Sequence, residues 1–388
     1  MIKRQLQEVL VKRLSDRKAV ILLGPRQVGK STLYQILEKE VTAPVIWWSG
    51  DESDVRNFLK EPTSTKLKSL IGDAKTVVID EAQRIENIGV CIKLITDQIK
   101  EVKVLATGSS AFDLANKINE PLTGRKWEYH LFPLTFSEMV THTNLTEEKR
   151  LLEHRLVYGY YPEIVTSKGH EAERLKQLTN SYLYKDILTW DRIQKPAKLE
   201  KLVQALAFQT AQQISCHEIG QICGLNSETV EKYIQLLEKA FVVFRLPSFS
   251  RNMRNELKKS YKIYFYDNGI RNTVINQFAP ANMRNDIGQL WENWFISERI
   301  KMWNNANKSG AFFFWRTAAQ QEIDFVEEVD GKLSAFECKW NKKSKGKMTK
   351  VFGANYPEAT LNMVYPDNVA EFLLYDKQIQ LVKSKMER

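Results

Sequence analysis

The string GPRQVGKS, which follows a short apolar segment, constrains this chain more than any other feature of its sequence. It fits the pattern G-x-x-x-x-G-K-[ST] at Gly24, Gly29, Lys30 and Ser31. Residues 19–23 (AVILL) read as a buried parallel strand, and the segment TLYQILEKE that follows the motif has helical spacing. Glycines let backbone N–H groups turn toward phosphate oxygens, and a helix N-terminus adds a favourable dipole. The sequence therefore predicts a phosphate-binding loop.

The predicted ligand of this loop is ATP with Mg²⁺. Lys30 would reach the terminal phosphates as part of the catalytic machinery, and Ser31 would ligate the magnesium ion. Arg26, inside the loop, could touch phosphate or cap the loop. The predicted ATP contacts in the loop are Gly24, Pro25, Arg26, Gln27, Val28, Gly29, Lys30, Ser31 and Thr32.

A second apolar strand, TVVIDEAQ, starts at Thr76 and ends in two adjacent carboxylates. Buried strands seldom end in this way unless a cation or a catalytic role accounts for the charge. In enzymes with such a loop, the first acid, here Asp80, holds magnesium, and Glu81 can polarise the attacking water. The two elements together predict binding and hydrolysis of ATP, and they argue against a chance glycine loop.

A third apolar strand, VKVLATGSS, ends in Thr107, Ser109 and Ser110, and the motif P-L-T-F-x-E lies in the segment from Leu122 to Glu138. With the two elements above, these segments resemble AAA-type P-loop ATPases. In particular, they resemble a large prokaryotic family of such ATPases that carries a C-terminal domain of unknown function. The resemblance implies that Ser109 or Ser110 is a sensor, and Ser109 is a predicted ATP contact.

The same resemblance implies that Arg125 is a catalytic arginine finger, which would reach the nucleotide of a neighbouring subunit. A finger supplied by another subunit needs a neighbour. The chain is therefore expected to form a homo-oligomer, for which a hexameric ring is one arrangement. The alternative for Arg125 is a surface salt bridge.

The middle of the chain has the order of a winged helix-turn-helix. One helix ends at Gly224, and after a tight turn a second helix follows with Ser227 as its expected N-cap, then a pair of strands. In a DNA-binding motif of this kind the second helix enters the major groove, which makes Asn226, Thr229 and Lys232 candidate contacts. Winged helices also serve as protein-protein modules, so this alternative stays open.

A second set of chemically suggestive residues lies near the C-terminus. Glu292 lies on a predicted helix, Asp324 on a strand, and Glu337 and Lys339 share one face of the strand that follows the hairpin turn Asp330-Gly331. This order resembles the PD-(D/E)XK nuclease core, without its proline. The resemblance implies that Asp324 and Glu337 bind a divalent metal, with help from Glu292 and Lys339. A solvated strand face and a nuclease fold that has become a binding platform are the alternatives.

The charge of the chain suggests a polyanionic partner. Lys and Arg number 57 against 47 Asp and Glu, which gives a net charge of +10. Two basic stretches, Arg251 to Lys262 and Lys339 to Lys350, predict contacts with DNA backbone phosphates. The candidate contacts in these stretches are Arg251, Arg254, Lys342, Lys343 and Lys345. The leading hypothesis is an ATPase that binds DNA and could remodel or process branched DNA; the rival is a nucleotide-gated switch that docks proteins.

The remaining composition favours a globular cytoplasmic protein. Hydrophobic residues make up 43% and charged residues 27% of the chain, which argues against disorder. Four cysteines without a CxxC pair indicate a reducing compartment, and the charged first 18 residues lack the apolar run of a signal or membrane segment.

These features together predict an α/β protein built from consecutive segments. We expect a parallel-sheet AAA-type ATPase domain (1–140), a helical lid or connector (141–200), a winged helix-turn-helix (201–260) and an α/β restriction-endonuclease-like domain (261–388).

Overall fold

The computed structural model describes residues 1–109, 118, 121–181, 196–249, 261–317, 319–342 and 350–375. The chain divides into two compact units. The N-terminal unit consists of Arg4–Pro133 with Lys239–Phe241, and the C-terminal unit of Met1–Lys3, Leu134–Glu238 and Val242–Arg388. Among the helices that the structure describes, none combines the length and apolar character needed to cross a membrane.

The N-terminal unit is built on a parallel sheet of five strands in the order β2-β3-β4-β1-β5. The strands are β1 (Ala19–Leu23), β2 (Val45–Ser49), β3 (Thr76–Asp80), β4 (Lys103–Gly108) and β5 (Lys126–His130). Strand β1 is buried along its whole length, because it lies between β4 and β5. The predicted α/β fold with a parallel sheet is confirmed.

Five α-helices of the described part of the chain accompany this sheet. They are α1 (Leu6–Arg13), α2 (Lys30–Leu37), α3 (Ser53–Leu59), α4 (Ser64–Ile71) and α5 (Ile88–Gln98). Helix α2 is fixed to the sheet by Tyr34, which is fully buried. The Tyr34 hydroxyl lies 3.1 Å from the carbonyl oxygen of Val20 and 3.2 Å from that of Ala106. Since these carbonyls belong to β1 and β4, the start of α2 is held above both strands.

The C-terminal unit begins with short helices. They are α6 (Phe136–His142), α7 (Leu145–Arg150), α8 (Leu152–Tyr158), α9 (Pro162–Thr166) and α10 (Glu171–Thr179). The motif P-L-T-F-x-E provides the start of α6. The Thr135 side chain accepts a hydrogen bond from the Glu138 amide at 3.1 Å, and the Glu138 carboxylate accepts one from the Thr135 amide at 3.0 Å. This reciprocal pair is a capping box.

Two helices joined by a tight turn, followed by a pair of strands, lie in the segment for which the sequence predicts a winged helix-turn-helix. Its elements are α11 (Pro196–Phe208), α12 (Cys216–Cys223), α13 (Ser227–Lys239) and the antiparallel strands β6 (Val243–Pro247) and β7 (Tyr261–Phe265). Helix α12 ends at Gly224 as predicted, with φ 64°. A Cβ atom at Gly220 would lie 2.6 Å from the Leu225 carbonyl oxygen, so glycine permits the tight turn.

The predicted N-cap of α13 is wrong by one residue. The Asn226 side chain, and not that of Ser227, accepts a hydrogen bond from the Thr229 amide, at 2.8 Å. Ser227 is itself the first residue of the helix. The Asn226 side chain satisfies one of the unpaired amides of the first helical turn. This is the role that the sequence predicted for Ser227.

The last part of the chain forms a mixed sheet with helices. Its elements are α14 (Asn268–Val274), α15 (Ile287–Asn305), β8 (Gly310–Arg316), β9 (Glu322–Val329), β10 (Lys332–Cys338), α16 (Lys350–Asn355), β11 (Thr360–Val364) and α17 (Ala370–Leu373). The strand order is β11-β10-β9-β8, in which β11 runs parallel to β10 and the other pairs are antiparallel. The predicted turn joins β9 to β10, with φ 52° at Asp330 and 73° at Gly331.

Candidate functional site

The predicted phosphate loop connects β1 to α2 at the carboxyl edge of the parallel sheet. Gly24 lies so close to the neighbouring chain that a Cβ atom there would be 2.1 Å from the Leu131 carbonyl oxygen. Gln27 and Gly29 have φ values of 60° and 90°, in the left-handed region. The loop therefore turns sharply before α2 begins at Lys30, as a loop that wraps phosphate requires.

Lys30 lies inside this loop. Its Nζ atom donates hydrogen bonds to the carbonyl oxygens of Gly24 and Pro25, both at 2.9 Å, and its side chain is buried. The carbonyls hold the ammonium group against the loop at the N-terminus of α2. A phosphate bound there would offer Lys30 a charged acceptor in place of the two neutral carbonyl oxygens. Hydrogen bonds between charged groups are stronger than hydrogen bonds to neutral acceptors.

The two residues predicted to hold magnesium are in contact. The Ser31 hydroxyl donates a hydrogen bond to Asp80 Oδ2 at 2.8 Å. The other carboxylate oxygen, Oδ1, accepts a hydrogen bond from the hydroxyl of Thr107 at the end of β4. Hydroxyl and carboxylate oxygens are the hard ligands that Mg²⁺ prefers, so the residues present fit the ion.

Glu81, the predicted water-activating residue, is held by neighbours that the sequence did not assign. Its amide donates to Thr107 Oγ1 at 3.1 Å. The Gln83 side-chain amide donates to Glu81 Oε2 at 2.6 Å and to Ser109 Oγ at 2.8 Å. Gln83 thus connects the expected base to the expected sensor. The signal in the sequence was a polar residue two positions after Glu81. Ser110, the other sensor candidate, lies outside the described residues.

Arg125 lies at the opposite edge of the sheet from the loop. It precedes β5, which runs parallel to β1, and its carbonyl accepts a hydrogen bond from the Ala19 amide at 2.9 Å. Its side chain is 39% exposed and pairs with Asp97, with Nε 2.8 and 3.0 Å from the two carboxylate oxygens. The ion pair matches the alternative expected for Arg125, and the finger stays a prediction because it needs a second subunit.

The predicted DNA contacts of α13 lie on the side of the helix away from its buried face. Asn226 and Lys232 are exposed and Thr229 is half-buried, whereas Val230 and Ile234 are buried. The candidate contacts Arg251, Arg254, Lys343 and Lys345 lie outside the described residues. Lys342 is exposed, with its Nζ 3.6 Å from Asp367 Oδ2.

The structure brings together the four residues predicted near the C-terminus. Lys339 Nζ donates to Glu337 Oε1 at 2.6 Å, and Asp324 Oδ2 accepts a hydrogen bond from the Cys338 amide at 2.8 Å. Glu292 Oε1 accepts a hydrogen bond from the Tyr264 hydroxyl at 2.6 Å. With two residues described next, these form what we call the carboxylate cluster: Glu292, Glu322, Asp324, Glu337, Lys262 and Lys339.

Lys262 ends the basic stretch Arg251 to Lys262, for which the sequence predicts contacts with DNA phosphates, but the structure buries its side chain. Its side chain is 3% exposed. Its Nζ atom lies 3.1 Å from Glu292 Oε1 and also forms an ion pair with Glu322. The reason is that Lys262 lies on β7, which α15 covers: the Asn293 side chain exchanges two hydrogen bonds with the backbone of Phe265, at 2.7 and 3.0 Å.

Burial and mutual repulsion perturb the acids of the carboxylate cluster. Burial raises the pKa of Glu292 to about 7 against the opposing effect of Lys262. Burial and the charge of Asp324 raise the pKa of Glu337 to about 7. Perturbed acids of this kind are typical of functional sites, but ion-pair networks produce them as well.

The arrangement of the cluster does not fit the divalent metal implied by the nuclease resemblance. Among the described residues, no three or more His, Cys, Asp or Glu side chains are placed so that they could hold a metal ion. Carboxylate oxygens of the cluster instead contact Lys262, Lys339, Tyr264 and the Cys338 amide. Glu337 Oε2 is buried without a hydrogen-bond partner among the described residues.

Comparisons with known proteins agree with the fold and the loop. Family models match residues 16–140 (AAA domain), 149–281 (domain of unknown function DUF8612) and 287–383 (domain of unknown function DUF4143). An uncharacterized protein of Mycobacterium tuberculosis is 26% identical over 346 residues, which cover 87% of this chain and 74% of that protein. An uncharacterized protein of Haemophilus influenzae is 24% identical over 61% of this chain and 60% of its own length.

Among solved structures, the Walker-type ATPase PABY2304 of Pyrococcus abyssi has a similar fold. The TM-score is 0.50 at 16% sequence identity, over 71% of this chain and 96% of the other. The segment that the AAA domain model matches contains the phosphate loop, the paired acids and all five strands of the parallel sheet. Residues 16–140 are therefore an AAA-type P-loop ATPase domain, in a chain that also carries a C-terminal DUF4143 domain.

Proposed function

We propose that this chain hydrolyses ATP with Mg²⁺ at the loop between β1 and α2. The observation that carries the proposal is the contact between Ser31 and Asp80, which joins the phosphate loop to the acid at the end of β3. The contact joins a hydroxyl of α2, from the residue after Lys30, to a carboxylate of β3. This is the arrangement that P-loop ATPases use to hold the metal next to the phosphates.

Each residue of the site has a separate task in this proposal. Lys30 binds the terminal phosphates, and Ser31 and Asp80 hold the magnesium ion. When bound, the ion neutralises charge on the phosphate oxygens. Thr107 keeps the Asp80 carboxylate in place through its hydroxyl. Glu81 accepts a proton from the attacking water, and the hydrogen bond from Gln83 orients its carboxylate.

Substitution of Lys30 tests the binding step. Lys30→Ala is expected to abolish binding of a fluorescent ATP analogue, because no other ammonium group lies within the loop. Lys39→Ala, which removes an exposed lysine just after α2, is the matched control and should bind as the unaltered chain does. Unchanged binding by Lys30→Ala would refute the proposed site.

We further propose that the helix-turn-helix binds DNA, including branched DNA that the ATPase could remodel or process. The supporting observation is that Asn226, Thr229 and Lys232 lie on the outer side of α13, while Val230 and Ile234 pack inward. A helix that presents polar and basic groups after a tight turn is suited to the major groove. The rival proposal is a nucleotide-gated switch that uses the same surface to dock proteins.

A salt titration with duplex, single-stranded and branched DNA separates these two proposals. Affinity should fall as salt rises, since bound phosphates release counterions. Lys232→Glu should weaken binding by about tenfold, while Lys100→Glu, an equal change of charge in the N-terminal unit, should have little effect. Absence of DNA binding at physiological salt would favour the protein-docking switch.

We also propose that the ATPase assembles into a homo-oligomer, for which a hexameric ring is one arrangement, in the cytoplasm. Arg125 supports the assembly, because its partly exposed guanidinium could reach a neighbouring nucleotide. The cysteines support a reducing compartment, because none of the four forms a disulfide: Cys91, Cys216, Cys223 and Cys338.

A further inference from the structure

An ammonium group lies inside the carboxylate cluster of the C-terminal unit. Lys262 reaches in from β7, and its Nζ atom contacts Glu292 at 3.1 Å and Glu322 at a shorter distance. The same atom lies 5.6 Å from the ring centre of Phe314. Two carboxylates and an aromatic ring thus surround a charge that water hardly reaches, since the side chain is 3% exposed.

The surrounding acids keep this ammonium group charged. Burial by itself would lower the pKa of Lys262, because desolvation penalises the charged form. The charges of Glu292, Asp324 and Glu322 outweigh burial and raise the pKa above its ordinary value. Through its ion pairs with Glu292 and Glu322, Lys262 places a cation within the cluster itself.

We propose that Lys262 is a built-in cation that takes the place of a divalent metal ion in the carboxylate cluster. A divalent cation needs several oxygen ligands directed at one point. Here Glu292 Oε1 accepts hydrogen bonds from Lys262 and Tyr264, and Asp324 Oδ2 accepts one from the Cys338 amide. A second cation at Glu292 Oε1 or Asp324 Oδ2 would have to displace these donors and would be repelled by the ammonium group.

The proposal has a functional consequence for the C-terminal domain. Because the cluster is held together by its own lysines, the domain does not cleave DNA by a metal-dependent route. Lys339 adds a second cation to the cluster, since its Nζ atom lies 2.6 Å from Glu337 Oε1. Among the hypotheses that the sequence left open, this consequence favours a nuclease-like fold that has become a binding platform.

Manganese binding tests the proposal directly. The parent for the titration is the full chain, without nucleotide and with Asp80→Asn, which removes the expected metal ligand of the P-loop. Isothermal titration with Mn²⁺ should detect no site in the cluster of this parent. Adding Lys262→Ser vacates the position among Glu292, Glu322 and Asp324, and it should create one Mn²⁺ site at least about tenfold tighter than any background binding. Adding Asp324→Asn as well should remove that site.

Two outcomes would overturn the proposal. One is a Mn²⁺ site in the parent that disappears with Asp324→Asn. The other is a Lys262→Ser chain that folds but gains no Mn²⁺ site. If Lys262→Ser does not fold, the parent decides: equal Mn²⁺ binding with and without Asp324→Asn supports the proposal, and a difference refutes it.

A cleavage assay gives a separate readout. The unaltered chain and Asp324→Ala are incubated with supercoiled DNA and either Mg²⁺ or Mn²⁺. The two proteins should show the same background of nicked DNA. Cleavage by the unaltered chain above that of Asp324→Ala would contradict the built-in cation.

Discussion

At the scale of single residues, the most informative feature of the ATPase site is how its acids are oriented. Thr107 contacts both of them. Its hydroxyl donates a hydrogen bond to the Asp80 carboxylate, and its oxygen accepts a hydrogen bond from the Glu81 amide. Gln83 adds a second contact to the Glu81 carboxylate and joins it to Ser109. A sensor at the end of β4 can in this way influence the residue that activates water.

Substitution of Gln83 tests this orienting role. Gln83→Ala should keep the KM for ATP and lower kcat by about tenfold to 100-fold, because a hydrogen bond to a charged group contributes about 1.5–3 kcal/mol. Gln98→Ala, at an exposed glutamine that ends α5, is the control and should leave kcat unchanged. Gln83→Ala with normal kcat would show that Glu81 needs no such contact.

Gly24 is a second residue whose role follows from its surroundings. Gly24→Ala should lower the melting temperature, because the added Cβ would overlap the Leu131 carbonyl oxygen at 2.1 Å. Gly288→Ala is the matched control, since a Cβ there meets nothing within 4 Å and alanine favours the helix α15. Thermal unfolding of both variants checks the comparison. Equal melting temperatures would contradict the close approach at Gly24.

At the scale of elements, the helix-turn-helix depends on a cap that also lies on its outer surface. Asn226→Ala should lower the free energy of unfolding by about 1 kcal/mol, because the Thr229 amide loses its acceptor. Asn226→Asp should retain most of that stability, because its carboxylate can accept the same hydrogen bond. Chemical denaturation measures both, and equal losses in the two variants would count against the cap.

The two Asn226 variants also separate stability from DNA binding. Asn226→Asp keeps the acceptor but introduces a negative charge, which DNA phosphates repel. We therefore expect a stable protein with weaker DNA binding. Normal DNA binding by Asn226→Asp would place the DNA contact elsewhere.

Local patterns in the sequence predicted the elements, but not all of their long-range contacts. Strand β1, the end of α12 and the turn at Asp330 follow from apolar runs and from glycine or aspartate in turns. Lys262 shows what such patterns miss. It ends a basic stretch of the chain, from which the sequence predicted a contact with DNA. Its partners Glu292 and Glu322 are distant in the sequence, and only the fold brings them next to it.

At the scale of the whole molecule, the main prediction concerns assembly. Arg125→Ala should bind ATP normally and lose hydrolysis by at least about 100-fold in the assembled protein, as expected for an arginine finger. Asp97→Ala removes only the partner of Arg125 within the same chain. An exposed ion pair contributes at most about 1 kcal/mol, so Asp97→Ala should have little effect on hydrolysis.

The comparison of these two variants decides between the two roles of Arg125. If Arg125 only forms a surface ion pair, both variants should hydrolyse ATP equally well. Phosphate release, measured over a range of protein concentrations together with the oligomeric state, gives the answer. Hydrolysis by Arg125→Ala at the normal rate would rule out the finger.

The most direct test of the central claim is the identity of the nucleotide that remains bound after incubation with ATP and Mg²⁺. Glu81→Gln should retain ATP, because it keeps the phosphate loop and the magnesium ligands but lacks the base. The unaltered chain should carry ADP, and Lys30→Ala should carry no nucleotide. If Glu81→Gln converts its ATP to ADP as fast as the unaltered chain, the assignment of Glu81, and the site built around it, is contradicted.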